Sequence, residues 1–264
     1  MKKILLGGLS IFSITVAIAQ QKEGKVIYQR SLQMMIEVSN APGTEDRIPR
    51  TRTDKFEMNF ANNQMSLKQM EDDVQEEMSS GNGGVMIRTM GASPDDMTYC
   101  DFEKARKVEA REFFDKRYLV GDSIRRNNWK LSDETKKILG HECRKATTQR
   151  VGKRMMMNMD NGKMERKEVD DTSTIIAWFT SDIPVPAGPD LQGQLPGMIL
   201  ELDMNNGRTV YTALDISAKP DLSSIKEPTK GKKVTPDEFN KERNKMLDEM
   251  QKNNQGGNFR VRVN

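Results

Sequence analysis

Alternation of apolar and polar residues is the dominant pattern in this chain. From Val26 to Val38 the even-numbered positions are apolar apart from Arg30, and Phe56, Met58 and Phe60 repeat the alternation. A period of two is typical of half-buried β-strands. We therefore predict that the two segments pair as antiparallel neighbours across the Pro- and Gly-containing loop between them.

Two Asn-Gly dipeptides predict β-hairpins. Asn161-Gly162 and Asn206-Gly207 each lie between segments that alternate, and Asn-Gly readily adopts the positive φ angles of a type I′ turn. Further strand-like segments are found at residues 86–90, 97–102, 109–120, 129–131 and 140–148. The middle of the chain is therefore predicted to be a meander of antiparallel strands.

The C-terminal part changes to a helical pattern. Thr235 is followed by Pro236 and Glu238, which predicts an N-cap, a proline at the first helical position and a capping box. Apolar residues then recur at helical spacing, which predicts a helix to about Gln251. The fold class that follows is mainly β: a single antiparallel sheet, curved or half-barrel-like, with a C-terminal helix that packs on its concave face.

The N-terminus has the pattern of a secretory leader. Lys2 and Lys3 precede an almost wholly apolar run, and Ala17-Ile18-Ala19 matches the small-residue cleavage pattern, so we expect cleavage between Ala19 and Gln20. An uncleaved anchor is the competing interpretation, although the run is shorter than the roughly 20 residues of a spanning helix. The expected location is the periplasm, the outer-membrane surface or the medium.

Three regions follow from these patterns. Residues 1–19 are the expected signal peptide, residues 20–225 a β-rich domain, and residues 226–264 a C-terminal helix and tail. Acidic and then Gly-rich sequence at 70–84 predicts a flexible insertion loop within the β-rich domain. No later stretch is apolar enough to predict a membrane span in the mature chain.

Charge excludes one class of partner. The formal net charge is +3, and Lys2 and Lys3 belong to the expected leader, which leaves +1 on the mature chain. Basic and acidic residues are interspersed and no nucleic-acid-binding motif is found, so we expect no nucleic acid partner. Cys100 and Cys143 are the only cysteines. Export permits a disulfide between them, and two buried thiols are the equal alternative.

No set of residues predicts catalysis or a cofactor. His141 is the only histidine and lies two residues before Cys143, which is too few candidate ligands for a metal site, so neither a metal nor another cofactor is expected. Nineteen methionines include Met155, Met157 and Met159, for which core or groove packing is favoured over copper binding. No catalytic residue is assigned, although paired carboxylates for hydrolysis stay open.

From Trp129 onward the chain contains a succession of short motifs, with motif positions at Gly140, Cys143, Lys145, Ala146, Ala177, Trp178, Ile183, Pro184, Gly188, Pro189, Leu195, Pro196, Gly197 and Ile199. In this order the motifs resemble the GLPGLI family of exported Bacteroidetes proteins. The sequence departs from the family's name motif at Gln194, where a glycine is usual, and at Met198, where a leucine is usual. The resemblance implies an exported, β-rich protein and supplies no catalytic residues.

Trp129, Trp178 and Phe179 are expected to anchor the core, with a ligand-lining role as the alternative. For the whole chain we expect a cell-envelope protein that binds an apolar or peptide-like ligand without catalysis. One alternative is an interaction module of an outer-membrane or secretion assembly that uses a free sheet edge. The other is an acid-dependent hydrolase.

Overall fold

One twelve-stranded sheet organises the computed structural model, which describes residues 21–41, 44–70, 96–113, 115–160 and 163–253. The strands are β1 Gly24–Ala41, β2 Thr44–Ala61, β3 Gln64–Gln69, β4 Met97–Asp101, β5 Arg106–Phe113, β6 Lys116–Ser123, β7 Lys130–Ile138, β8 His141–Asp160, β9 Lys163–Thr180, β10 Met198–Met204, β11 Thr209–Ser217 and β12 Lys232–Val234. They are followed by one helix, α1 Pro236–Asn253.

The strand order in the sheet is β12-β6-β5-β4-β3-β2-β1-β11-β10-β9-β8-β7. Every pairing is antiparallel except that of β12 with β6. β12 and β7 lie at the two ends of this order and do not pair with each other among the described residues, so the sheet is open and does not close into a barrel. The mainly β fold class is confirmed. Two meanders, β2 to β6 and β7 to β10, are joined at the centre by the pairing of β1 with β11.

The predicted antiparallel pairing of the first two segments is confirmed, but the strands are longer than the pattern indicates. β1 and β2 stay paired as far as Ala41 and Thr44, so most of the predicted loop is strand. Pro49 lies within β2, opposite Met35. The amide of Gln33 donates to the carbonyl of Arg208, which lies on the β11 side of β1. Because backbone amides alternate between the two sides of a strand, the amide of Met35 also points toward the β11 side and away from β2. The nitrogen of Pro49 therefore faces the outer edge of β2, where a missing donor breaks no pairing.

Both predicted hairpins correspond to paired strands. β10 and β11 are joined by residues 205–208, and positive φ angles occur at Asn205, Asn206 and Gly207. This four-residue turn is longer than the type I′ turn that Asn-Gly indicated. β8 and β9 pair as far as Asp160 and Lys163, and the Asn161-Gly162 turn itself lies outside the described residues.

The C-terminal helix begins with the predicted capping box. Glu238 accepts from the Thr235 amide at 2.8 Å, and the Glu238 amide donates to the Thr235 hydroxyl at 3.3 Å. Phe239 packs edge-on against Tyr118 of β6, with ring centroids 5.3 Å apart. The helix thus covers the β6 end of the sheet.

Other predictions lie wholly or mostly outside the described residues. These are the leader and its cleavage site, nearly all of the 70–84 loop, the strand at 86–90 and the tail after residue 253. No helix in the described ranges has the length and apolar character needed to cross a membrane.

One face of the sheet, which we call the core face, contains the buried apolar side chains. Strand pairing carries this face from Met65 of β3 through Met58 of β2 and Val26 of β1 to Leu202 of β10 and Ala177 of β9. All five side chains are inaccessible to solvent. Since an open sheet leaves such a face uncovered, another part of the chain has to pack on it.

Residues 181–197, which we call the crossing segment, cover the core face. Ile183, Val185, Ala187, Leu191 and Leu195 are buried there in the same cluster as the strand side chains. Main-chain hydrogen bonds attach the first half of the segment to the start of β10: the Met198 amide donates to the Ile183 carbonyl at 3.1 Å, and the Ile199 amide donates to the Ala187 carbonyl at 2.9 Å. The segment makes the second layer that a sheet of this kind requires.

The two cysteines are free, buried thiols in the structure. Cys100 lies on β4 and Cys143 on β8, seven positions apart in the strand order. Burial raises the pKa of Cys100 to about 12 and that of Cys143 to about 11. Both sulfurs are therefore protonated and poorly nucleophilic at neutral pH.

We expect neither thiol of the protein to react with iodoacetamide in the native state at pH 8. Both should react after unfolding in guanidinium without reductant, because unfolding exposes the sulfurs and restores the ordinary pKa. Intact-mass spectrometry counts the alkylated sites. An unfolded chain that takes up no label without reductant, and two labels with it, would instead establish a disulfide.

Gly197→Ala should destabilise the protein by about 1–3 kcal/mol because of overpacking. An added Cβ would lie 2.1 Å from the Thr180 carbonyl oxygen, a backbone atom that cannot rotate away. Gly121→Ala is the matched control, since nothing lies within 4 Å of the added methyl group. Urea unfolding measures both, and equal midpoints for the two variants would contradict the close packing of the crossing segment.

Candidate functional site

The core face changes from apolar to charged toward one end of the strands. On β1 and β2 the apolar pair Tyr28 and Phe56 is followed by the paired charges Arg30 and Asp54. Tyr211 of β11 lies beside Arg30 in the same row. Register places these residues on one face, so the charged positions continue the surface that buries the core.

Asp54 is the buried centre of this charged region. Its side chain is 5% exposed and accepts from Arg30 at 2.6 Å and from Arg52 at 2.8 Å. Gln69 donates to the same carboxylate at 3.4 Å. Two arginines with side-chain exposures of 22% and 28% thus share one carboxylate, which fixes both guanidinium groups.

Arg30 connects Asp54 with Tyr211. Its guanidinium lies 4.9 Å from the ring centroid of Phe56, and the Phe56 and Tyr211 rings are 5.9 Å apart. The Tyr211 hydroxyl interacts with the positive charge of Arg30 and with the negative charge of Asp190. Burial, and then the negative charge of Asp190, raise the pKa of Tyr211, so the phenol stays protonated and remains a donor.

Asp190 is the residue of the crossing segment that reaches this region. It has φ of 57°, and the neighbouring amide of Leu191 donates to the carbonyl of Pro189 at 2.6 Å. Its side chain is open to solvent, yet protein surrounds it on most sides, which raises the pKa of its carboxyl group. Arg150, Arg111 and Arg30 act in the opposite direction by attracting the negative charge.

A second group of charges reaches Asp190 from β5. Glu109 accepts from Lys107 at 2.7 Å and from Arg111 at 2.8 Å. Burial acts to raise the pKa of Glu109, but Arg111 and Lys107 hold it below its ordinary value. Glu109 and Asp190 also interact electrostatically, so two carboxylates with opposite pKa shifts face the same space.

We call this set the charged cluster. Its members are Arg30, Arg52, Asp54, Lys107, Glu109, Arg111, Asp190 and Tyr211. Four cationic and three anionic side chains, with one phenol, offer donors and acceptors at fixed positions. Such an arrangement can hold a polar ligand that carries charges of both signs.

The residues singled out from the sequence mostly lie elsewhere. Most of the motif positions are buried, at Cys143, Ala146, Ala177, Ile183, Gly188, Pro189, Leu195, Gly197 and Ile199. Lys145, Trp178 and Pro184 are partly exposed, and Gly140 and Pro196 are exposed. The motif positions therefore lie in the crossing segment and in the strands beneath it. Asp190 comes directly after the motif residue Pro189.

The aromatic residues of the motif region pack against the core. Phe179 is 2% exposed, and Trp129 and Trp178 are partly buried against the same cluster. Trp178 lies 4.4 Å from the Lys136 ammonium and 5.9 Å from that of Lys145. These two cations cover the indole, in agreement with a packing role for this residue.

Gln194 has a structural role that a glycine lacks. Its side-chain oxygen accepts from the Trp129 indole at 3.0 Å and from the Asn127 amide at 3.2 Å. The departure from the family pattern thus attaches the crossing segment to the chain before β7.

His141 and the methionines do not form a site in the described part of the chain. His141 lies 3.1 Å from Asp182, and no group of three or more candidate metal ligands occurs among the described residues. Met58, Met65, Met198 and Met204 are in the core. The side chains of the Met155 to Met159 run lie outside the described set.

Sequence reasoning missed the charged cluster. Its residues come from four separate strands and one loop, so no local spacing brings them together. One signal was present, because Arg30 alone interrupts the apolar even positions from Val26 to Val38. A charge within a buried alternation indicates a paired or functional group.

Comparison with known proteins matches one part of this chain to a family model. Residues 129–201 match the model of a family described as a protein of unknown function (Porph_ging), a Bacteroidetes-associated domain. The matched region contains β7 to β9, the crossing segment and the start of β10. No curated protein matches the chain.

Two solved structures of PNGF-II, in space groups C2 and P21, are each 16% identical to this chain with a TM-score of 0.48. The matches cover 83% and 84% of this chain and 32% and 33% of theirs, so the chain spans about a third of their length. No functional conclusion about this chain follows from so low a similarity.

Asp54→Asn should lower the free energy of unfolding by about 1–2 kcal/mol, because two charge-assisted arginine contacts lose their ionised acceptor. Asp133→Asn is the control: its side chain is fully exposed and 3.8 Å from Arg144, so a change below about 0.5 kcal/mol is expected. Urea unfolding at pH 7 measures both. Indistinguishable variants would show that Asp54 does not hold the cluster together.

Proposed function

We propose that the chain is an exported cell-envelope protein of GLPGLI type that binds a peptide-like ligand at the charged cluster, without catalysis. The observation that carries the proposal is Asp190, an exposed residue of the crossing segment whose carboxylate interacts with Tyr211 and with Arg30, Arg111 and Arg150. The leader pattern of residues 1–19 supports export.

A peptide-like ligand is favoured over an apolar one. Met58, Met65, Met198 and Met204 are 0% to 5% exposed and belong to the core, so these four offer a ligand little apolar surface. The accessible side chains at the charged end are instead arginines and carboxylates. Peptides match them, because a peptide has amide donors and acceptors along its length and charged groups of either sign.

The fixed geometry of the cluster supports binding with little reorganisation. Arg30 and Arg52 are held by Asp54, and Arg111 is held by Glu109 at 2.8 Å. Side chains whose positions are set before a ligand arrives lose less conformational entropy on binding. Asp190 has no such ion-pair restraint within hydrogen-bond distance among the described contacts, which leaves it able to contact a cationic group of a ligand.

Asp190→Asn should abolish ligand retention without unfolding the protein. A raised pKa means that ionisation of Asp190 costs stability as pH rises, so a neutral amide is expected to be tolerated at pH 7. Native mass spectrometry of the mature protein, purified from its own envelope, should detect a bound peptide mass that is lost on denaturation. Asp182→Asn, a carboxylate of the same segment that contacts His141 instead, is the control and should keep the adduct.

Two results of this experiment would reject the proposal. One is an unliganded wild-type chain that also fails to enrich any sequence from a displayed random peptide library. The other is an adduct that Asp190→Asn and Asp182→Asn retain equally.

One observation favours the hydrolase alternative. Asp190 has a raised pKa and Glu109 a lowered one, and such opposed shifts are typical of an acid and base pair. A hydrolase would release shortened peptides from the library, whereas a binding protein would return them intact. Mass analysis of the same library after incubation therefore separates the two functions.

A further inference from the structure

Arg150 of β8 lies on the core face, directly after the last buried positions of its strand. Ala146 and Thr148 are buried on that face, and Arg150 follows them at the same period of two. The strand pairing agrees, because Arg150 pairs with Ser173 of β9, which is also buried. Arg150 itself is exposed. It therefore lies where the buried surface of β8 meets solvent.

Arg150 reaches the charged cluster from the far side of the sheet. Three arginines attract the negative charge of Asp190, and the effect of Arg150 is the largest, ahead of Arg111 and Arg30. β5, which contains Arg111, and β8 are eight positions apart in the strand order. Arg111 and Arg150 thus approach one carboxylate from opposite ends of the strand order.

Arg150 differs from the other cations around Asp190 in its contacts. Asp54 and Glu109 each hold two of those other cations within 2.8 Å. No side-chain ion pair or hydrogen bond of Arg150 occurs among the described contacts. A guanidinium group has five N–H donors and keeps its charge at neutral pH. Arg150 therefore presents donors that a ligand can use.

Positive charge is in excess at this site. With Arg150 included, five cationic and three anionic side chains meet in the described part of the chain, which leaves two positive charges in excess. An uncompensated charge in a partly buried place costs free energy, because the protein solvates it less well than water does. A ligand that brings a carboxylate lowers this cost, whereas a purely cationic ligand raises it.

We propose that the ligand of the charged cluster is a peptide with an acidic group, and that Arg150 is the residue that selects this group. The inference rests on the proposed function and adds the charge of the ligand to it. A guanidinium can donate two parallel hydrogen bonds to a carboxylate, which an amide cannot accept in the same way. Asp190 is left for a cationic group of the same peptide, so the ligand carries both signs of charge close together.

The first measurement is selection from a displayed random peptide library in which the C-terminus of each peptide is joined to the display protein. The wild-type chain should enrich peptides that contain Asp or Glu, and Arg150→Gln should lose this preference. Arg144→Gln is the matched control, because Arg144 is an exposed arginine of the same strand that contacts Asp133 at 3.8 Å. Both variants replace exposed side chains and should keep the wild-type thermal midpoint.

An enriched peptide, synthesised with an amidated C-terminus, then enters a double-mutant cycle measured by titration calorimetry at pH 7. Changing its acidic residue to the matching amide should weaken binding to the wild type by about tenfold or more, because a charge-assisted contact is lost. The same change should weaken binding to Arg150→Gln by less than about twofold. Arg144→Gln should respond as the wild type does.

A further peptide distinguishes two sources of the carboxylate. It carries the amide in place of the acidic residue but has a free C-terminus. Tight binding of this peptide to the wild type, and weak binding to Arg150→Gln, would support the proposal and identify the carboxylate of a chain end as the selected group.

Two results would overturn the inference and leave peptide binding intact. One is a wild-type selection without preference for Asp or Glu, and the other is a cycle in which the wild type and Arg150→Gln lose equal affinity. A wild-type chain that enriches no peptide would instead reject the proposed function, and this inference with it.

Discussion

Coverage of the core face by the crossing segment is the constraint on which the rest of the structure depends. A single open sheet with one apolar face has no stable form in water unless a second layer excludes solvent from that face. Gly188 and Gly197 allow the segment to approach closely, since an added Cβ would lie 2.7 Å from Ile199 and 2.1 Å from the Thr180 carbonyl. The hydroxyl of Tyr28 donates to the Ile199 carbonyl at 2.6 Å, which satisfies the polar end of a fully buried side chain. The same segment then positions Asp190.

The charged cluster lies where the crossing segment reaches the end of the apolar part of the core face. Burial and charge act against each other there, because each carboxylate lies among arginines that oppose the rise in its pKa. For Glu109 the cations prevail, and for Asp190 burial prevails. The contacts of the two carboxylates also differ, since Glu109 accepts from Lys107 and Arg111 within 2.8 Å, whereas no ion pair of Asp190 occurs among the described contacts. The pKa of Glu109 is therefore lowered while that of Asp190 is raised, although both carboxylates belong to the same cluster.

Local sequence patterns predicted much of the fold. Period-two alternation predicted β1 with β2, Asn-Gly predicted the β10–β11 hairpin, and the capping box predicted the start of α1, because each depends on residues close in sequence. The length of β2 was missed because Pro49 is usually a strand breaker and is tolerated here only at an unpaired edge. The charged cluster could not be predicted, since Arg30, Glu109, Asp190 and Tyr211 meet only through strand order. Of these, Arg30 alone left a signal in the sequence.

The central pairing of β1 with β11 has a consequence for how the chain folds. It joins Lys25 to Ser217, whereas the meanders on either side pair strands that follow one another closely in sequence. Distant pairings form slowly because a long loop has to close before any contact stabilises it. A chain that emerges N-terminus first can therefore complete β2 to β6 early, but β1 keeps one edge unpaired until β11 has emerged. Folding to the native sheet is thus coupled to the arrival of residues near the C-terminus, and chains in which β11 has not yet emerged are the species most exposed to misassembly.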